Sequence, residues 1–185
     1  MVDFIKAMKE AKKGYSPKDS WRVVESHHHH EWVTKGGSTY AVAWDGNICG
    51  LCRNKKDKIT GQELLERAIR KGGSKLQAFG RKLFKFYTKN GFRPISWCLF
   101  NDIKPPEGWK PKYGGEPLIF YLYDGKKTQF VNMDDFISTF TPSETEKIAY
   151  ECRDYYQKIW DLESPKLKKG KKKCSVKNSK KKTKN

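Results

Sequence analysis

STYAVAWDGNICGLCR, residues 38–53, holds two β-prone runs, 38–44 and 48–53, on either side of Asp45-Gly46-Asn47. Asp-Gly between such runs is the strongest short-range hairpin signal, because its glycine takes the positive φ that a tight turn needs. Further along, residues 60–71 form a helix: Leu64, Leu65, Ala68 and Ile69 recur at helical spacing, and Gly72-Gly73 closes it. SKLQAF at 74–79 is a buried strand. Residues 81–90 make a second helix with Leu83, Phe84 and Tyr87 inward, stopped by Gly91. RPISWCLF (93–100) and LIFYLY (118–123) are two further strands. The Pro- and Gly-rich loop between them, NDIKPPEGWKPKYGGEP, is long enough to need a purpose.

On the N-terminal side, residues 3–13 form a short helix with Phe4, Ile5 and Met8 on one face. Residues 21–24 are a short β-prone run, and 26–35, with His27 to His30, form a loop. On the C-terminal side, Thr141-Pro142-Ser143-Glu144 reads as a capping box with Pro at the first helical position. It opens a helix to about residue 162, with Ile148, Cys152, Tyr155 and Ile159 on one stripe. The order hairpin–helix–strand–helix–strand–strand predicts an α/β (α+β) class: a mixed, mostly antiparallel sheet flanked by helices. The chain divides into an N-terminal helix, strand and loop (1–37), a core (38–125), a C-terminal helical extension (126–163) and a disordered Lys-rich tail (164–185).

The net charge of +18 is unevenly spread. Residues 164–185 hold 11 Lys and no acid, so the preceding residues, with 28 basic and 21 acidic side chains, are only moderately basic. Both parts attract polyanions, and a lysine tail suits salt-sensitive contact with phosphates, which releases condensed counterions. Nucleic acid and acidic protein surfaces are therefore the expected macromolecular partners. A solubilising tail is the alternative. No apolar run reaches the ~18 residues of a membrane span, which predicts no membrane partner. The amphipathic MVDFIKAMKEAKKGY start differs from the apolar run of a secretory signal. Five cysteines at irregular spacing make no disulfide framework, and a cytoplasmic setting follows. Cys49 and Cys52 have redox or half-zinc spacing, but strand alternation puts them on opposite faces, so they read as structural. Four adjacent histidines do not converge on one ion, and no metal site is predicted.

Two segments resemble motifs of the GNAT superfamily of N-acetyltransferases. Gly61-Gln62-Glu63-Leu64-Leu65 is similar to the end of the family's cofactor-binding loop and the helix it enters; FYTKNGF at 86–92 is similar to its YxxxGF signature. The similarity spans roughly residues 38–123. Together with SWCLF, the PPEGW loop and EPLIFYLYDG, it is closest to GNAT-like proteins of phages and prophages. The resemblance implies an acetyl-CoA-dependent N-acyltransferase. Coenzyme A would lie along Leu51, Cys52 and Arg53, with its pyrophosphate at Lys56, Lys58, Ile59, Thr60, Gly61 and Gln62. Lys56 takes the family's Gln/Arg position, Ile59 its first glycine and Gly61 its last. Helix-start N–H groups, backed by the helix dipole, suit a pyrophosphate. Tyr87 matches the tyrosine that protonates the departing thiolate. Gln77, Trp109 and Tyr113 are candidate substrate or lid residues. Trp109 and Tyr113, interleaved with Lys110 and Lys112, also have the composition of a single-strand binder, and Trp109 alternatively pins the loop to the core. A second function remains open: a catalytically inactive GNAT-like module that binds nucleic acid or a host protein through its basic surface and tail.

Overall fold

The computed structural model describes residues 3–23, 30–126, 128, 130 and 132–163. The class is mixed α+β. The hairpin forms as expected: β2 (Thr39–Val42) pairs antiparallel with β3 (Ile48–Cys52), and Asp45 Oδ1 accepts the Asn47 N–H at 3.0 Å within the turn. An edge strand, β1 (His30–Val33), joins β2, where the sequence predicts a loop. Trp32 drives this pairing by stacking on Tyr40 across the ladder at 5.1 Å. The other histidines of the run lie outside the described residues.

Helix α3 (Gly61–Arg70) follows β3, then strand β4 (Lys75–Phe79) and helix α4 (Gly80–Lys89). Strands β5 (Phe92–Cys98) and β6 (Leu118–Tyr123) complete a second antiparallel sheet in the order β4-β6-β5. The expected single mixed sheet is therefore two three-stranded sheets. They meet at one parallel bridge, Asn47 with Lys75, where the Ser74 N–H donates to the Gly46 carbonyl at 2.9 Å. The reason is a bulge in β3. Thr39 faces Cys52 and Ala41 faces Cys49, so β3 spends one extra residue against β2 and turns away from β4. Gly50 adopts φ +56° there, and a Cβ on it would stand 2.8 Å from the Phe4 ring. The bulge also corrects the reading of the cysteine pair. Cys49 and Cys52 end on the same face, against Phe4, Met8 and Ala11 of helix α1 (Phe4–Lys12).

The principal core lies under α3, α4 and α5 (Met133–Thr139), where Leu64, Leu65, Phe84, Tyr121 and Phe136 meet. On the opposite face α1 covers the first sheet. The chain then crosses through α2 (Pro17–Ser20) and inserts Trp21 between Phe79 and Phe100 of the second. Residues 21–23 are thus a helix exit rather than a strand, with Val24 outside the described residues; Trp21 packs into a core instead of pairing. One N-terminal segment straps both sheets.

The last helix, α6 (Glu146–Glu163), begins later than the expected capping box. The Ser143 N–H is spent on the Trp97 carbonyl of β5 at 2.8 Å, and Thr145 Oγ1 accepts the Ile148 N–H instead. Its buried stripe is also rotated from the predicted one. Ile148 and Tyr155 are exposed, whereas Ala149 and Arg153 face the sheet. Ala149 allows close approach, and its carbonyl accepts Ser96 Oγ at 2.7 Å. Arg153, 1% exposed, bonds Asp154 at 3.1 Å and Asn47 at 3.1 Å and lies over the Tyr150 ring. Lys75, buried beside it, pairs with Asp45 at 2.9 Å and Asp154 at 3.2 Å. No helix among the described residues is long and apolar enough to cross a membrane.

Truncating Asp154 removes one of the polar partners of each of two buried cations, leaving Lys75 with Asp45 and Arg153 with Asn47; a hydrogen bond to a charged group contributes about 2 kcal/mol. Asp154→Ala is expected to lower the urea midpoint accordingly, with the slope of the transition unchanged.

Candidate functional site

Beyond the Asn47–Lys75 bridge, β3 and β4 diverge toward their C-terminal ends, and a cleft of about 340 Å³ opens between them. Ile48 to Cys52 form one wall and Leu76 to Phe79 the other; Leu83, Phe86 and Tyr87 of α4 border the interior. Tyr15, Arg22 and Val23 of the N-terminal strap border it on the α1 side. The other edge of each strand is already paired, β3 with β2 and β4 with β6, so the edges facing the cleft are those without a ladder among the described residues. This volume lies within the range of small-molecule sites, about 300–1,000 Å³, and the walls are mostly apolar.

Helix α3 starts where the cleft opens. A Cβ on Gly61 would lie 3.7 Å from the Phe86 ring, a cleft residue. The loop before the helix is tightly self-bonded. Asn54 accepts the N–H groups of Lys56 at 3.0 Å and Asp57 at 2.9 Å, and Asp57 Oδ1 accepts that of Ile59 at 3.3 Å. Ile59 turns inward and is buried in the principal core, so its side chain leaves the loop surface clear. Thr60 and Glu63 form a full capping box: Thr60 Oγ1 accepts the Glu63 N–H at 3.1 Å, and Glu63 Oε2 accepts the Thr60 N–H at 2.7 Å. These bonds from Thr60 hold the Glu63 carboxyl below the usual carboxylate range. Gly61 and Gln62 retain the two first-turn N–H groups that the helix itself cannot satisfy. Lys56 and Lys58 are exposed at this end.

Leu51 and Cys52 line the cleft. Burial pushes the Cys52 thiol up to about 11, which keeps it protonated at neutral pH. Arg53 is committed to local structure: its Nε donates to the Ile59 carbonyl at 2.7 Å, and its carbonyl accepts Tyr15 Oη at 2.8 Å. Tyr87 is 7% exposed and packs against Phe86, Phe92 and Tyr121. Burial drives its hydroxyl well above the usual phenol range. Gln77 also borders the cleft. Its Nε2 donates to Tyr150 Oη, and its buried Oε1 has no hydrogen-bond partner among the described residues.

Trp109 and Tyr113 are not among the residues that border the cleft. Trp109 packs on Phe100 at 4.8 Å and donates to the Gly114 carbonyl at 2.8 Å, so it pins the long loop to the second sheet. The sequence reading missed Arg22, which borders the cleft and pairs with both Asp19 and Glu116. Its signal was hidden by the β-prone appearance of Trp21 and its neighbours.

Comparison with family models, curated proteins and solved structures finds no match for this chain. The cleft and its chemistry are thus read from the geometry alone.

Replacing Gly50 tests the bulge that opens the cleft. An L-residue at φ +56° is strained and meets the Phe4 ring, so Gly50→Ala is expected to cost about 1–3 kcal/mol, read by thermal or urea unfolding.

Proposed function

We propose that the chain is an acetyl-CoA-dependent N-acyltransferase whose cofactor lies in the cleft between β3 and β4. The single observation that carries this reading is the divergence of those two strands over Tyr87. It supplies an apolar slot with backbone edges on its walls and a helix start at its mouth. A pantetheine arm fits such a slot because its amides match strand edges and its chain matches apolar walls. Lys56, Lys58 and Lys82, with the N–H groups of Gly61 and Gln62, would hold the phosphates.

The cofactor supplies an activated acyl group as a thioester. Backbone N–H groups near Leu51 to Arg53 would polarise its carbonyl while an acceptor amine attacks. Tyr87 remains protonated at neutral pH, so it is suited to deliver a proton to the sulfur that departs. The amine's own proton leaves to water, since no carboxylate side chain in the cleft is unpaired among the described residues. Cys52, Cys98 and Cys152 form no disulfide, which supports a reducing, cytoplasmic setting. The resemblance in the sequence extends this to a phage or prophage protein.

A second reading has one observation in its favour. Glu63 already caps α3 and places a carboxylate where a pyrophosphate would lie. A GNAT-like scaffold without cofactor, acting as a binding module, would retain that cap.

Titration calorimetry with acetyl-CoA separates the two. The acyltransferase binds it in the micromolar to millimolar range, and no heat at millimolar cofactor overturns the proposal. Thioester hydrolysis or transfer to amine acceptors by Tyr87→Phe is expected to fall roughly 100-fold in kcat with KM little changed, as loss of a general acid predicts.

A further inference from the structure

The far edge of the first sheet carries an aromatic surface that the cleft does not use. Trp44, in the hairpin turn, is 85% exposed, the largest exposure of any large hydrophobic side chain among the described residues. His30 of the edge strand meets it edge-on at 4.3 Å, and Trp32 lies 6.1 Å from His30. His30, Trp32, Tyr40 and Val42 face the same side, because His30 pairs with Val42 and Trp32 with Tyr40. Helix α3 covers Tyr40 and Val42; Trp32 is half-buried against Tyr40, whereas Trp44 and His30 stay exposed. A turn normally takes small or polar residues, so an almost bare Trp there has no role in packing.

Cations border these rings. Lys71 Nζ sits 5.5 Å from the Trp32 ring centre, and Arg67 and Arg70 are exposed basic residues in the last turn of α3, the helix that covers Tyr40. The nearby acids are turned away or committed. Glu31 alternates to the opposite face of β1, Asp45 pairs with Lys75, and Glu66 accepts from Gln62. Exposed ring faces beside basic side chains match stacked bases and phosphates, and a lysine over an aromatic ring favours nucleic acid because protein interfaces are depleted in lysine.

We propose that Trp44, His30 and Trp32, with Lys71, Arg67 and Arg70, form a stacking platform for single-stranded nucleic acid. The platform lies two strands from the cleft and does not rest on acyl transfer. Bases stack on Trp44 and His30, and the basic end of α3 follows the backbone. A duplex hides its base faces and gains only the phosphate contacts.

The test is fluorescence anisotropy of a labelled oligothymidylate of about 12 nucleotides, a length within the site size of such surfaces, with the full chain over a salt series. Trp44→Ala is expected to weaken binding about tenfold at every salt concentration, while Trp44→Phe retains it. Lys71→Gln is expected to reduce the salt slope by about one. The Lys-rich tail is present in every variant, so these differences read the platform alone. Equal affinity of Trp44→Ala and the native chain would overturn the proposal. So would polyglutamate binding that is as strong as oligothymidylate binding and equally sensitive to Trp44→Ala, since that result assigns the surface to an acidic protein.

Discussion

Lys75 is buried where the two sheets meet, held by Asp45 of the hairpin turn and Asp154 of α6, and Arg153 continues the same network to Asn47. The sheets share one backbone bridge among the described residues, and these side chains tie the hairpin turn, β4 and α6 together at that point. Buried ion pairs add little net stability, because desolvation offsets much of their attraction. Their geometry is demanding, however, and this one fixes where β3 and β4 part. An apolar replacement would fill the space without specifying which residues face each other. The cleft, the start of α3 beside it and the placement of α6 all follow from that fixed vertex.

Much of this was legible in the sequence because local signals agreed with tertiary ones. Asp45-Gly46 gave the hairpin, the Leu64-Leu65-Ala68 periodicity gave α3, and β4 to β6 fell within a few residues of their expected bounds. The misreadings share a physical cause: a long-range partner outweighed a local preference. Trp21 is β-prone alone but fills a hole between Phe79 and Phe100. Thr141 to Glu144 fit a capping pattern, yet Ser143 is claimed by β5. An arginine reads as exposed, and nothing local announces that Arg153 turns inward to aromatic rings and Asn47. The bulge at Gly50 had no signal apart from the glycine itself, and it undid both the single sheet and the opposed cysteines.

The candidate site divides in the same way. Leu51, Cys52, Gln77 and Tyr87 come together around the cleft, as segments quoted separately from the sequence would need to. Trp109 and Tyr113 do not join them, because Trp109 packs on Phe100 and Tyr113 joins the same apolar cluster. Arg53 is expected to lie along the cofactor with its backbone, but its carbonyl accepts Tyr15 Oη and its guanidinium is consumed in folding its own loop. Where the backbone was regular, residues named from the sequence reached the cleft. The match failed where a loop's internal hydrogen bonds decided which groups remained available.

The N-terminal strap has a mechanical consequence. Helix α1 is anchored on one sheet through Phe4 and Met8, and Trp21 is anchored in the other, with a short span of chain between them. Two plates hinged at a vertex and tied by a stay behave as a fixed aperture rather than as jaws. Widening the gap would draw Trp21 away from its contacts with Phe79 and Phe100, which opposes opening. A ligand would therefore meet a ready-made slot and spend little of its interaction energy on rearranging the protein. The same stay borders the slot through Tyr15, Arg22 and Val23, so the N-terminal segment shapes its entrance as well as bracing it.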